Sequence, residues 1–278
     1  MASGVLKIPS ATDAMGFFDG FVIYSKYIMD KKGTLHPMTI AAHEALKVFS
    51  DLGFEVAVGP ELENEWYCFD ALNVPKNHPA RDMQDTFFIK DKKSAITNNQ
   101  TPNSKESFVL RTHTTSATAR AVEQANKDGR IPCAFISIGK VFRNESTDAT
   151  HEAMFFQVDG ILVVPKEMAE EASVSRLKGT LLYFYRKMLG EDVDIQLRPS
   201  FFPFVEPGLE VWVKFGERWL EVMGAGIIHP NVLTNLGIDP EKYTGFAFGG
   251  GLDRIVMVKH KITDIRYLYQ GDLRVNQF

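Results

Sequence analysis

The chain has 278 residues, 45% hydrophobic and 24% charged, enough to bury one large core or a core with a small appendage. Its formal charge of -4, with Lys and Arg spread along the chain, argues against a general nucleic-acid binder, which needs a concentrated basic surface. No run approaches the ~18 apolar residues of a membrane helix, Met1 to Met15 lacks the pattern of a secretory signal, and the lone Cys68 and Cys133 form no CxxC pair, so we expect a cytoplasmic globular protein with two reduced thiols.

Residues 1–32 read as an N-terminal extension of undefined structure, and 33–278 as one domain. Ile40, Ala41, Leu46, Val48, Phe49 and Leu52 fit a helix from Pro37 to Leu52, with Pro37 tolerated in the first turn and Gly53 ready to end it. Phe54 to Val58 alternates as a strand. Lys90 to Ser107 is polar and reads as a loop. A short strand over Val109 to Arg111 precedes a helix from Thr114 to Lys127, capped by a Thr or Ser hydroxyl. Strands follow over Ala134–Arg143, Met154–Val163, Val193–Pro199, Leu209–Phe215 and Trp219–Ala225, with a helix over Lys166–Leu189 between them. Turns as short as Lys214 to Glu217 fit hairpins, which makes the fold α+β, an antiparallel β-sheet flanked by helices.

Residues two apart in a strand share a face. Arg143 and Glu145 therefore point one way and Ile136, Ile138 and Phe142 the other; on the next strand Phe155, Gln157 and Asp159 separate from Met154, Phe156 and Val158. Paired as a hairpin, these strands gather a cation, two carboxylates, an amide and a ring on one surface. Such a surface suits a nucleotide, because a guanidinium fork matches phosphate and a ring stacks on adenine. A solvated strand face is the plainer alternative. The run Gly245-Phe246-Ala247-Phe248-Gly249-Gly250-Gly251-Leu252-Asp253-Arg254 then leads into an apolar helix. It is neither a dinucleotide fingerprint nor a P-loop, yet an arginine opening a helix after glycines fits a phosphate.

Phe142-Arg143-Asn144-Glu145 with His151 and Phe155, and the glycine run ending in Arg254, resemble the second and third signature motifs of class II aminoacyl-tRNA synthetases. Gly53 to Pro60 resembles the first, which in that family builds a dimer interface. Within the class, His78 to Phe87, Arg111-Thr112-His113-Thr114, Phe201 to Pro207 and His229-Pro230-Asn231-Val232 resemble the bacterial-type alpha subunits of phenylalanyl-tRNA synthetases, over roughly Gly33 to Phe278 and without their N-terminal coiled-coil arm.

The resemblance implies the class II catalytic fold and a reaction in which ATP, with Mg2+, activates L-phenylalanine before its transfer to tRNA(Phe). It implies that Arg143 binds the α-phosphate, Arg254 the γ-phosphate, that Phe155 stacks on adenine, and that Glu145 and His151 contact the nucleotide. Glu221 is the candidate magnesium ligand, with a structural carboxylate as the competing reading. For the amino acid it implies Gln157 and Asp159 at the ammonium group, His113 and Thr115 near the polar end, Phe202 and Phe204 packing edge-to-face on the phenyl ring, and Ala247 at the pocket floor. Asp159 stands where glutamate is usual and Thr115 where bacterial members have serine. The implied partner is a beta subunit, in an assembly of two alpha and two beta chains. Two other readings stay open: a paralogue that forms an adenylate without charging tRNA, and a catalytically idle interaction subunit.

Overall fold

The computed structural model of the chain describes residues 33–81, 86–89 and 107–277. The expected extension over 1–32 and nearly all of the expected 90–107 loop lie outside these residues.

Helix α1 (Pro37–Asp51) starts where His36 accepts a hydrogen bond on Nδ1 from the Met38 amide, 3.2 Å away, and Pro37 supplies the preset φ of a first turn. Met38, Ala41, Ala45, Val48 and Phe49 form its buried stripe. Gly53, at φ +87°, reverses the chain after it. Of the expected strand at 54–58 only β1 (Glu55–Val56) pairs. A three-stranded sheet of β2 (Leu62–Asn64), β3 (Phe88–Ile89) and β4 (Phe108–Leu110) runs in the order β2-β4-β3.

The main sheet adds β5 (Cys133–Phe142), β6 (Met154–Pro165), β7 (Ile195–Phe202), β8 (Val205–Phe215), β9 (Arg218–Ile228) and β10 (Tyr243–Gly251). Its order is β1-β5-β6-β10-β9-β8-β7, antiparallel throughout except for the parallel β1–β5 pair. Helices α2 (Thr115–Lys127), α3 (Val174–Leu189), α4 (Pro230–Asn235) and α5 (Leu252–His260) complete the α+β layers. Strand alternation divides the core between the two faces. Ile136, Val158, Phe246 and Phe248 pack under α1, α3 and α5, whereas Phe135, Ile161 and Val163 pack under α2 and α4. No helix among the described residues is long and apolar enough to cross a membrane.

Two expectations change, and one segment without an expected element gains one. The helix expected over 166–189 is two elements: a 3-10 segment over Lys166–Ala172, then α3, whose start is set by the Ser173 hydroxyl accepting from the Arg176 amide at 3.2 Å. The hydroxyl expected to cap α2 does not: Thr114 precedes the helix with no side-chain cap, and its hydroxyl donates to Asp159 instead. The glycine run, given no element from the sequence, is a central strand, β10. Glycine weakens an ordinary strand but belongs where backbones approach closely. A Cβ at Gly245 would lie 2.1 Å from the Leu162 carbonyl oxygen, and one at Gly250 2.4 Å from that of Val222.

Away from the main sheet, Glu63 is fully buried and takes both Arg120 nitrogens, Nε at 2.9 Å and Nη2 at 2.5 Å, while the guanidinium stacks 3.7 Å from the Tyr67 ring centre. Removing one member of such a pair strands a charge without solvent. Arg120→Met is expected to cost about 3 kcal/mol in urea unfolding, whereas a loss within 0.5 kcal/mol, roughly the scatter of surface changes, would mean that water reaches Glu63.

Candidate active site

A cleft of about 570 Å³ opens on the sheet face that carries α2, and every residue the sequence offered for the site lines it: His113, Thr115, Arg143, Glu145, His151, Phe155, Gln157, Asp159, Phe202, Phe204, Glu221, Ala247 and Arg254. The register explains the gathering. Gln157 stands opposite Gly139, Asp159 opposite Ser137, and Gly249 opposite Asp159, so odd-numbered residues of β5, β6 and β10 share this face. The face persists because β5 is bound at its edge by Arg111, which is 4% exposed. Its Nε donates to the Lys140 carbonyl at 2.8 Å and its Nη1 to that of Gly59 at 2.9 Å.

Two arginines line the cleft. Strand β5 stops at Phe142, one residue before expected, although the Arg143 amide still reaches the Ala153 carbonyl at 2.9 Å. The Arg143 Nε donates to the Thr112 carbonyl at 3.2 Å, and its guanidinium lies 5.1 Å from the Phe155 ring centre. Glu145 lies beyond the strand and is exposed, so alternation no longer places it; the loop after β5 brings it to the cleft. His151 is also exposed, with Nδ1 3.0 Å from an Asp148 carboxylate oxygen. Arg254 sits in the first turn of α5 and donates from Nη1 to the Glu221 carbonyl at 2.7 Å. The Glu221 carboxylate is exposed, in a stretch where a bulge opposite Val211 and Trp212 interrupts the simple alternation expected around it.

Hydrogen-bond acceptors line the same cleft. His113 has Nε2 3.0 Å from the Cys68 carbonyl, so Nε2 carries the proton and Nδ1 is a bare acceptor. Burial, reinforced by Arg143, pushes its pKa down to about 4, which keeps the ring neutral. Neither Nδ1 nor the Gln157 Oε1, both buried, has a partner among the described residues. Asp159, 3% exposed, is raised to about 6 by burial, against the pull of the Thr114 and Thr115 hydrogen bonds. Two neutral acceptors and one carboxylate match the three N–H donors of an ammonium group. The Phe202 and Phe204 rings stack on each other, 5.8 Å apart and 19° from parallel, at an apolar wall that includes Ala247. Phe201 points outward at 83% exposure, as alternation requires.

Sequence reasoning missed Asp253 and Tyr269. Asp253 accepts from the Phe156 amide at 2.7 Å and from the Tyr269 hydroxyl, tying the start of α5 to β6 and to the segment after it. Burial raises its pKa to about 6. Its place beside Arg254 was the one available signal; nothing local marks Tyr269. Both cysteines are free and buried, with thiols pushed up by burial, Cys68 to about 12 and Cys133 to about 11.

Residues 23–278 match the model of the tRNA synthetases class II core domain (F). The chain is 46% identical over 259 residues to the phenylalanine–tRNA ligase alpha subunit of Anoxybacillus flavithermus, covering 89% of this chain and 69% of that protein. It is 46% identical over 261 residues to the same-named subunit of Staphylococcus carnosus, covering 89% and 68%. For that of Ehrlichia chaffeensis the figures are 45% over 241 residues, 86% and 64%. With its antiparallel sheet, its strand-end and helix-start arginines and this match over most of its length, the chain belongs to the class II tRNA synthetase family.

Proposed function

We propose that the chain is the catalytic subunit of a phenylalanine–tRNA ligase, forming phenylalanyl-adenylate from ATP and then transferring phenylalanine to tRNA(Phe). The observation that carries this reading is one cleft lined together by arginines 143 and 254, by an ammonium-matching set of acceptors, and by stacked phenylalanines. In activation the substrate carboxylate attacks the α-phosphorus, a carboxyl C–O–P link forms, and pyrophosphate leaves. No protein nucleophile is needed. Arg143 meets the charge that grows on the α-phosphate, Arg254 takes the γ-phosphate, Phe155 stacks on adenine, and Glu145 and His151 place the nucleotide. Held in the cleft, the reactants collide in a productive geometry, and fixed cations stabilise the transition state more than the ground state.

Enzymes of this class use ATP with magnesium. The described residues hold no group of three His, Cys, Asp or Glu that could bind a metal by themselves. An exposed Glu221 at the cleft fits a magnesium shared with triphosphate oxygens, which is how that ion is usually held. When bound there it would supply further charge neutralisation. On the same reading residues 33–278 are the catalytic domain, and a beta subunit is the partner in a two-alpha, two-beta assembly.

Amino-acid-dependent ATP–pyrophosphate exchange by the full chain tests the first half-reaction, and charging of tRNA(Phe) with and without a beta subunit tests the second. We expect phenylalanine to support exchange above the other amino acids and charging to require the beta chain. Exchange driven best by another amino acid removes the substrate assignment. Exchange without charging in either case makes the chain an adenylate-forming paralogue, and neither activity leaves an idle interaction subunit.

A further inference from the structure

Resting on the reading of the cleft as an amino-acid site, we propose that Thr114 is a positioning residue, which holds the Asp159 carboxylate so that one lone pair stays open for an ammonium N–H. An ionised carboxylate has about four lone-pair sites. Thr114 fills two of them, both on Oδ2: its backbone N–H donates at 3.2 Å, and its hydroxyl donates to the same oxygen. The Thr115 hydroxyl takes a third, on Oδ1, at 2.8 Å. One site is left, and it is on Oδ1.

The setting keeps that oxygen where it is. Oδ1 lies against Gly249, where a Cβ would come within 2.0 Å of it. Ser137, 2% exposed, closes the neighbouring strand position. Thr114 is fully buried and does not line the cleft, so it acts on a ligand only through Asp159, whereas Thr115 does line it. Arg143 and Arg111 act on the carboxylate by their charge, and the neutral His113 lines the same cleft. The hydroxyl therefore has two effects. It fixes the direction of the carboxylate, and it favours the ionised form against burial, as a hydrogen bond to a charge does.

Thr114→Val in the full chain keeps the shape and the backbone N–H but deletes the hydroxyl. Losing a charge-assisted hydrogen bond is expected to raise KM for phenylalanine in pyrophosphate exchange by roughly tenfold, with KM for ATP and kcat changing by less than about twofold. The acid limb of kcat/KM for phenylalanine should move to higher pH, because the ionised form has lost a donor. Thr114→Ser should restore both. Phenylalaninol, which keeps the ammonium group without a carboxylate, should weaken in parallel as an inhibitor, while hydrocinnamate, which lacks the ammonium group, should bind as before. An unchanged KM with an unmoved acid limb overturns the proposal, and so does equal weakening of both inhibitors. Should the valine variant fail to fold, Gly249→Ala presses on the same carboxylate from the other side; selective loss of phenylalaninol is expected there too, and equal loss overturns the proposal. Failure of the unaltered chain to bind phenylalanine is a different result. It removes the substrate assignment, and the same comparison is then made with whichever amino acid drives exchange.

Discussion

Arg143→Ala should lower phenylalanine-dependent ATP–pyrophosphate exchange by about 10²–10³-fold, chiefly in kcat, which is the usual cost of removing one preorganised group that meets transition-state charge. The guanidinium is not a freely swinging surface cation. Its Nε donates to the Thr112 carbonyl and its guanidinium lies near the Phe155 ring, which fixes its direction at the cleft wall. Arg143→Lys should recover little, since a lysine ammonium has the charge but not the planar fork. Thermal unfolding of the variant provides the control, because it separates loss of the fold from loss of the guanidinium. A folded Arg143→Ala protein with undiminished exchange removes this residue from the chemistry.

Asp159→Asn should separate function from stability. Without the carboxylate the ammonium loses a buried anionic partner, and KM for phenylalanine should rise by about 10²-fold, the range expected when a charged hydrogen-bonding partner is removed. Stability should move the other way. Burial raises the Asp159 pKa from 3.8 to about 6, so the folded chain binds the proton more tightly than the unfolded chain. The stabilisation from that proton is complete below about pH 4 and disappears as pH rises through 6. At about 1.4 kcal/mol per pKa unit, ionising the buried group costs the native state roughly 3 kcal/mol at neutral pH, and asparagine avoids this. The melting temperature of the variant relative to the unaltered chain should therefore increase from pH 4 to pH 7. A constant difference across that window would mean that Asp159 does not carry the raised pKa.

Strands β5 and β6 were legible because their alternation is strict: Ile136, Ile138 and Val158 against Arg143, Phe155, Gln157 and Asp159 is a pattern that a two-faced strand must produce. The same rule lost its hold wherever regularity did. Glu145 reaches the cleft from beyond the strand end, and the bulge in β9 interrupts the alternation around Glu221. Strand β10 was illegible as a strand. Its glycines contradict β propensity, and only tertiary contacts explain three of them: the Leu162 and Val222 carbonyls press on Gly245 and Gly250, and the Asp159 carboxylate on Gly249.

His36 and His229 are helix caps, each accepting on Nδ1 from an amide two residues on. Thr114 misled in the opposite sense. A hydroxyl before a helix ordinarily caps it by accepting an amide N–H from an extended backbone, but Thr114 has helical backbone angles (φ -83°, ψ -2°), and its hydroxyl donates to the buried, charged Asp159, 45 residues away in the chain.

What the sequence by itself determined is which residue types face one another along each strand and helix, together with the family motifs they compose, because side-chain direction follows from local backbone geometry alone. What only the tertiary structure decided is the pairing across long separations: Asp159 with Thr114, Asp253 with Tyr269 and the Phe156 amide, His113 with the Cys68 carbonyl, and Arg111 with the Gly59 and Lys140 carbonyls. Those contacts depend on register and on which helix covers which face. They are set by burying apolar surface over the whole domain and by the need to satisfy each polar group that burial cuts off from water.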